Sequence, residues 1–181
     1  GQGYVLATPL QVVTSAATIA NGGELMWPHL VRAILDGEGN VIEEIEPRTL
    51  WNLTDGVVTE GTPDINIESW VIELTQQGMH MVTLEGGTVH GYGDLDTISS
   101  AGKTGTGEFC DTVEFNKGLC EPGNWPTHSW YVAFAPYENP EIAVVAMVYN
   151  GGEGAVTSGP IVKQVMETYF TLKALDTAEG S

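Results

Sequence analysis

The stretch from 99 to 109, SSAGKTGTGEF, sets one lysine among small and hydroxylated residues. Lys103 is the only lysine or arginine between Arg48 and Lys117, in a chain with 24 acidic and 6 basic residues and a net charge of −18. Three kinds of chemistry use a lysine in such a setting. It closes a phosphate-binding loop, it takes the proton of a serine nucleophile three residues away, or it charges one wall of a site whose nucleophile lies elsewhere.

A phosphate loop of the form G-x-x-x-x-G-K-[ST] needs a glycine at 97 and a helix after the lysine. Thr97 stands at the first place, and Cys110 with a loop rich in Gly, Asn and Pro follows too soon for the second. Ser100 and Lys103 spell S-x-x-K, a pairing that works on a helix, where residues three apart share a side. Gly102, Gly105 and Gly107 make this stretch poor helix material, and in a strand Ser100 and Lys103 point to opposite faces. The strand suits the third chemistry. Thr104 and Thr106 at i and i+2 place both hydroxyls on one side. Gly105 between them lets another element approach the backbone, and Lys103 adds one positive charge. Such an edge suits a carboxylate, with backbone N–H groups to meet a developing oxyanion. On these residues alone, a Thr-rich edge strand with a solvent lysine is the competing description.

These residues need elements to hold them. Thr8-Pro9 opens a helix, with Thr as N-cap and Pro at the first helical position. Leu10, Val13, Ala17 and Ile19 follow at near-helical spacing, and Asn21-Gly22-Gly23 stops it. Extended runs at 25–35 and 40–45 around Asp36-Gly37-Glu38-Gly39 predict a hairpin. Residues 46–66 are acidic and turn-rich and read as loop. The pattern over 68–84 predicts a helix with Trp70, Leu74, Gln77 and Met81 on one side, Val71 and Val82 beside it, and Met79 and Met81 as core filler. A glycine-rich link at 86–93 holds no G-x-G-x-x-G, so nothing supports a dinucleotide site. Residues 97–109 read as the lysine-bearing strand and 110–127 as a loop. Two further strands at 128–136 and 141–149 join through Tyr137-Glu138-Asn139-Pro140, a turn sequence. Trp130 and Phe134 share a strand face and are expected in the core. A last helix is expected over 158–172, with Val162, Val165, Met166, Tyr169 and Phe170 as its apolar face. Three consecutive strands and then a helix fit an α+β fold: an antiparallel sheet with flanking helices.

The length of 181 residues allows one ordinary domain, and 42% apolar residues argue against disorder. The acidic balance repels nucleic acid, so no nucleic-acid partner is expected. The opening residues do not spell the basic, apolar, small-residue pattern expected of a signal peptide, and no apolar run is long enough to span a bilayer. Cys110 and Cys120 flank one loop and suggest a disulfide and an oxidising compartment. Free thiols come next. A zinc pair comes last, because the spacing is not C-x-x-C and only His128 is near. His80, His90 and His128 lack ligand spacing, and Glu108 reads as a solvated carboxylate. No metal or cofactor is expected. The chain opens on Gly1 without a methionine and is expected to be a piece of a longer protein.

Lys103-Thr104-Gly105-Thr106 resembles the K-T-G motif of penicillin-binding proteins and serine β-lactamases. GQGYVLATPLQ resembles the segment after S-x-N in monofunctional (class B) penicillin-binding proteins, and AGKTGTGEF their K-T-G strand. HSWYVAFAPYENPEIAVVAMVYNGGEG is similar to the next two strands and their glycine turn, and GPIVKQVMETYF to their last helix. The likeness runs in order along nearly the whole chain and is weakest over 46–66 and between the cysteines. It implies a peptidoglycan D,D-transpeptidase of cell-wall and cell-shape synthesis, outside the cytoplasm on a membrane-anchored parent, acylated by β-lactams. Its partners would be the stem peptide, β-lactams, membrane cell-wall synthesis proteins and the N-terminal half of the same protein. Lys103 would supply electrostatics and part of a proton network. Thr104 and Thr106, with Gly105 between them, would bind the substrate carboxylate, and the N–H of Thr106 would serve the oxyanion hole. No S-x-N occurs, and the one S-x-x-K is the strand spelling already set aside. Residues 1–181 therefore resemble the C-terminal part of one transpeptidase domain, with the nucleophile segment elsewhere. A β-lactamase, a D,D-carboxypeptidase or a β-lactam-sensing domain of similar fold is the alternative.

Overall fold

The computed structural model describes residues 5–56 and 65–179. Helix α1, Pro9–Ala20, starts on a reciprocal cap: the Gln11 N–H donates to Thr8 Oγ1 at 3.3 Å, and the Thr8 N–H donates to Gln11 Oε1 at 2.8 Å. Gly22 and Gly23 end it at φ +82° and +109°, where only glycine is unstrained. The face it buries carries Ala16 and Ala20, while Leu10 is exposed. Small side chains face the sheet because the helix lies close to it, with Ile19 packed beside them.

Strands β1, Glu24–Met26, and β4, Thr49–Asn52, pair antiparallel. Strands β2, Ala33–Leu35, and β3, Val41–Glu44, form the expected hairpin. The extended run at 25–35 is thus divided between two small sheets, and part of the expected loop at 46–66 is a strand. Its residues 57–64 lie outside the described residues, as does the GQGY that opens the chain.

Helix α2, Ser69–Met81, buries Ile72 and Met79. Trp70, Leu74 and Met81 are 61%, 58% and 67% exposed, so the stripe expected to face the core faces outward and Met81 is not core filler. The helix is apolar on two sides, and the side chosen is the one against the sheet.

That sheet has three antiparallel strands in the order β5, Ala101–Glu108, then β6, Thr127–Ala135, then β7, Ile142–Val148. Between β5 and β6 the expected loop contains a short helix, α3, Thr112–Asn116, capped by Asp111, which accepts from the Val113 and Glu114 N–H groups at 2.9 Å each. A π-helical turn, Gly154–Ser158, leads into the last helix, α4, Gly159–Glu179, which runs further than expected.

The two sheet faces have different neighbours. On one, Tyr131, Ala133, Ala135 and Ala146 pack with Val162 and Met166 of α4 and with Val89. Val162 and Met166 are essentially fully buried, each contributing about 1.5–3 kcal/mol. Val165, expected on this face, is exposed. On the other face, Ala101 and Phe134 pack with Ala20 of α1 and Met79 of α2. Strand β5 lies at the sheet edge, and both layers end beside it.

Candidate active site

Cross-strand partners share a face, so the register assigns every side chain of β5. Lys103 and Gly105 pair with Val132 and Trp130, on the α1–α2 side. Thr104 and Thr106 pair with Tyr131 and Ser129, on the α4 side. The two threonines do share one side, as their spacing predicts, and Lys103 stands on the opposite one. The three groups therefore meet only along the free edge of β5, and the candidate site is a rim.

A groove of about 1080 Å³ follows this rim. Residues 103–109 form one wall, and residues 5–7 with Val12 of α1 lie across from them. Trp130, His128 and Met147 form the floor. The volume lies just above the range of about 300–1,000 Å³ usual for small-molecule sites. Lys103 is exposed, and its ammonium donates to the Thr104 carbonyl at 2.6 Å. Glu108 is exposed and lines the same groove.

Each threonine has a second group behind it. The Gly154 N–H donates to Thr106 Oγ1 at 3.3 Å. Gly154 comes this near because it has no side chain: a Cβ there would stand 2.3 Å from the Trp130 carbonyl oxygen and 2.5 Å from that of Gly105. Behind Gly154, Ser129 Oγ donates to the Glu153 carbonyl at 3.1 Å and lies 2.7 Å from Ser158 Oγ, fixing the π turn to β6. Thr104 Oγ1 lies 3.4 Å from Thr88 Oγ1.

Trp130 was expected in the core with Phe134. Phe134 is buried, but Trp130 is half-buried and forms groove floor. The cause is its partner. Trp130 lies opposite Gly105 and His128 opposite Gly107, so these large side chains stand over glycines at the open edge of the sheet. His128 stacks on Phe109 with ring centroids 3.7 Å apart, and its Nδ1 accepts from the Asn150 N–H at 3.3 Å. Aromatics facing glycines across an edge pair were the signal in the sequence, but reading it required the register. Ser100 is buried, and its carbonyl is bound by His80 Nδ1 and Thr83 Oγ1 beside α2.

Cys110 and Cys120 form a disulfide with Cα atoms 5.7 Å apart, closing the loop that carries α3. The Glu114 N–H holds the Asp111 carboxyl below its usual range, helped by the Tyr149 hydroxyl, which donates to Asp111 Oδ2 at 2.7 Å. The same bond raises the Tyr149 phenol. This cluster secures the loop next to Phe109 at the end of the groove. Among the described residues no three His, Cys, Asp or Glu side chains are placed to hold a metal ion, and no helix is long and apolar enough to cross a membrane.

Residues 1–167 match the family described as the penicillin binding protein transpeptidase domain. The peptidoglycan D,D-transpeptidase MrdA of Haemophilus influenzae is 34% identical over 179 residues, which cover 94% of this chain and 25% of that protein. Among solved structures, the imipenem acyl-enzyme of penicillin-binding protein A from M. tuberculosis superposes with a TM-score of 0.69 at 29% identity, over 94% of this chain and 32% of that one. A chain from a peptidoglycan synthase complex that couples polymerization and crosslinking superposes with a TM-score of 0.65 at 34% identity, over 93% of this chain and 24% of that one. The chain thus spans about a quarter of the length of the curated relative it matches.

Proposed function

The chain belongs to the penicillin-binding protein transpeptidase family, and from that membership we propose that it is the part of a class B peptidoglycan D,D-transpeptidase that supplies the Lys103–Thr106 strand. One observation supports this most: Lys103, Thr104 and Thr106, consecutive along the free edge of β5 but for Gly105, all line one groove of ligand size. In the reaction a serine Oγ attacks the penultimate D-Ala carbonyl carbon of a stem peptide. The C–N bond to the terminal D-Ala breaks, D-Ala leaves as the amine with the proton, and the acyl group stays on the serine as an ester. An amine of a second stem peptide then attacks that ester, forming the cross-link and returning a proton to the serine. Lys103 supplies charge and part of the proton relay. Thr104 and Thr106 hold the terminal carboxylate, and the Thr106 N–H serves the oxyanion. A β-lactam acylates the same serine.

The serine itself is proposed to lie on a segment outside these 181 residues. Ser129 and Ser158 bond one another in the core, Ser15 donates to the Val12 carbonyl on its own helix, and Ser100 is buried beside α2. Neither S-x-N nor a helical S-x-x-K occurs to provide one. The whole enzyme is proposed to act at the extracytoplasmic face of the bacterial membrane, with its anchor elsewhere and other cell-wall synthesis proteins as partners.

Covalent labelling tests the reading. The complete enzyme takes up a fluorescent penicillin that survives denaturing electrophoresis, and the 181-residue chain alone takes up none at any concentration. Label on the isolated chain would put the nucleophile within it, at Ser100 or another serine. An unlabelled complete enzyme would remove the transpeptidase assignment.

A further inference from the structure

The glycine-rich link before β5 reads as a mere connection, yet its middle is fixed tightly. Val89 is fully buried in the core with Tyr131, Val162 and Met166. Its N–H donates to the Val82 carbonyl at 3.1 Å. A Cβ at Gly87 would stand 2.3 Å from that same carbonyl oxygen, and one at Gly93 would stand 2.7 Å from a Val89 methyl. The residues flanking Thr88 are thus seated by contacts at backbone distance. Thr88 itself is exposed, with its hydroxyl 3.4 Å from that of Thr104. Thr104 stands on the strand face opposite Trp130 and Met147, so Thr88 meets it from the side of the strand away from those groove residues.

A hydroxyl has one proton and two acceptor positions. If Thr88 donates to Thr104, the Thr104 proton is committed outward, and the two hydroxyls in series polarise each other. An anion at the rim selects that direction, because it accepts only. We propose that Thr88 is a positioning residue for the site: its hydroxyl donates to Thr104 Oγ1 and so aims the Thr104 proton at the carboxylate of a bound ligand. The inference rests on the reading of Thr104 as a carboxylate-binding residue. It assigns the link a part in ligand recognition that the K-T-G strand does not itself contain.

The test is the second-order acylation rate of the complete enzyme by two fluorescent penicillins, one with its free carboxylate and one with that group converted to the neutral primary amide. Thr88→Val removes the hydroxyl at nearly constant shape, and Thr88→Ser keeps it. With the free carboxylate, Thr88→Val should slow acylation about two- to tenfold, the range of one neutral hydrogen bond. Thr88→Ser should restore most of the rate, and the amide should be affected by less than twofold. In a Thr104→Val background, adding Thr88→Val should cost nothing further. An unchanged rate in Thr88→Val, an equal loss with both penicillins, or additive losses with Thr104→Val would overturn the proposal, the last two by showing a general structural role. In each of these cases the wild type is acylated, so the transpeptidase reading stands. A wild type that is not acylated removes both.

Discussion

Gly154→Ala would drive a methyl group into the backbone on which the rim rests. The added carbon would lie 2.3 Å from the Trp130 oxygen, 2.5 Å from the Gly105 oxygen and 3.0 Å from the Gly105 nitrogen. All three are main-chain atoms of paired strands, so no side chain can turn aside. Relief requires the π turn to retreat by roughly 1 Å, to ordinary contact distance. The Gly154 N–H would then be about 4 Å from Thr106 Oγ1, past hydrogen-bond range. Overpacking of this kind costs about 1–3 kcal/mol, and the lost hydrogen bond about 0.5–1.5 kcal/mol. Urea denaturation of the complete enzyme should therefore show a loss of about 2–4 kcal/mol, and acylation by a carboxylate penicillin should slow several-fold. Gly78→Ala is the control. It lies on α2 with nothing within 4 Å of the new methyl, so it should leave acylation unchanged and stabilise by up to about 1 kcal/mol. A Gly154→Ala enzyme as stable as the wild type would refute the argument that the π turn seats on Gly105.

Lys103→Ala should slow acylation of the complete enzyme at least tenfold, since a charge-assisted contact is worth roughly 1.5–3 kcal/mol; Lys103→Arg should keep part of the rate, and an unchanged rate in the alanine variant would sink the site assignment. Non-reducing mass spectrometry should find the chain two hydrogen atoms lighter than with Cys110 and Cys120 as free thiols. Replacing both by serine should cost about 2–3 kcal/mol, as expected for a loop of this length, with two free thiols in material made under oxidising conditions counting against the bond.

Some of this architecture could be read directly. Thr8 and Pro9 spell a helix start whose hydrogen bonds are local, and the turn at Tyr137–Pro140 separates two runs read as strands. What escaped depends on distant partners. Strand β4 exists because residues 49–52 meet β1, and nothing within its own sequence announces that. Helix α3 is only five residues long and depends on Asp111 within a closed loop. The buried side of α2 was misjudged because that helix has apolar residues on two sides, and the buried side of α1 could not be read from spacing alone. On α1, size at the contact decides: Ala16 and Ala20 allow close approach where Leu10 would not. For the rim, the shared side of Thr104 and Thr106 was legible from spacing. Trp130 and His128 were not, because their place in the groove follows from which glycine of β5 each one faces.

The arrangement of the rim has a consequence for how such a site is adjusted. Its charge and its hydroxyls answer to different layers of the molecule. A change in α1 or α2 reaches Lys103 first, and a change in α4 or the π turn reaches the threonines first, because alternate residues of one strand look in opposite directions. Under the roles proposed for these residues, reactivity toward the acyl group and grip on the carboxylate are therefore separate dials. Substitutions far from the groove can turn one while barely touching the other, and the side of the sheet on which a substitution falls indicates which dial it turns.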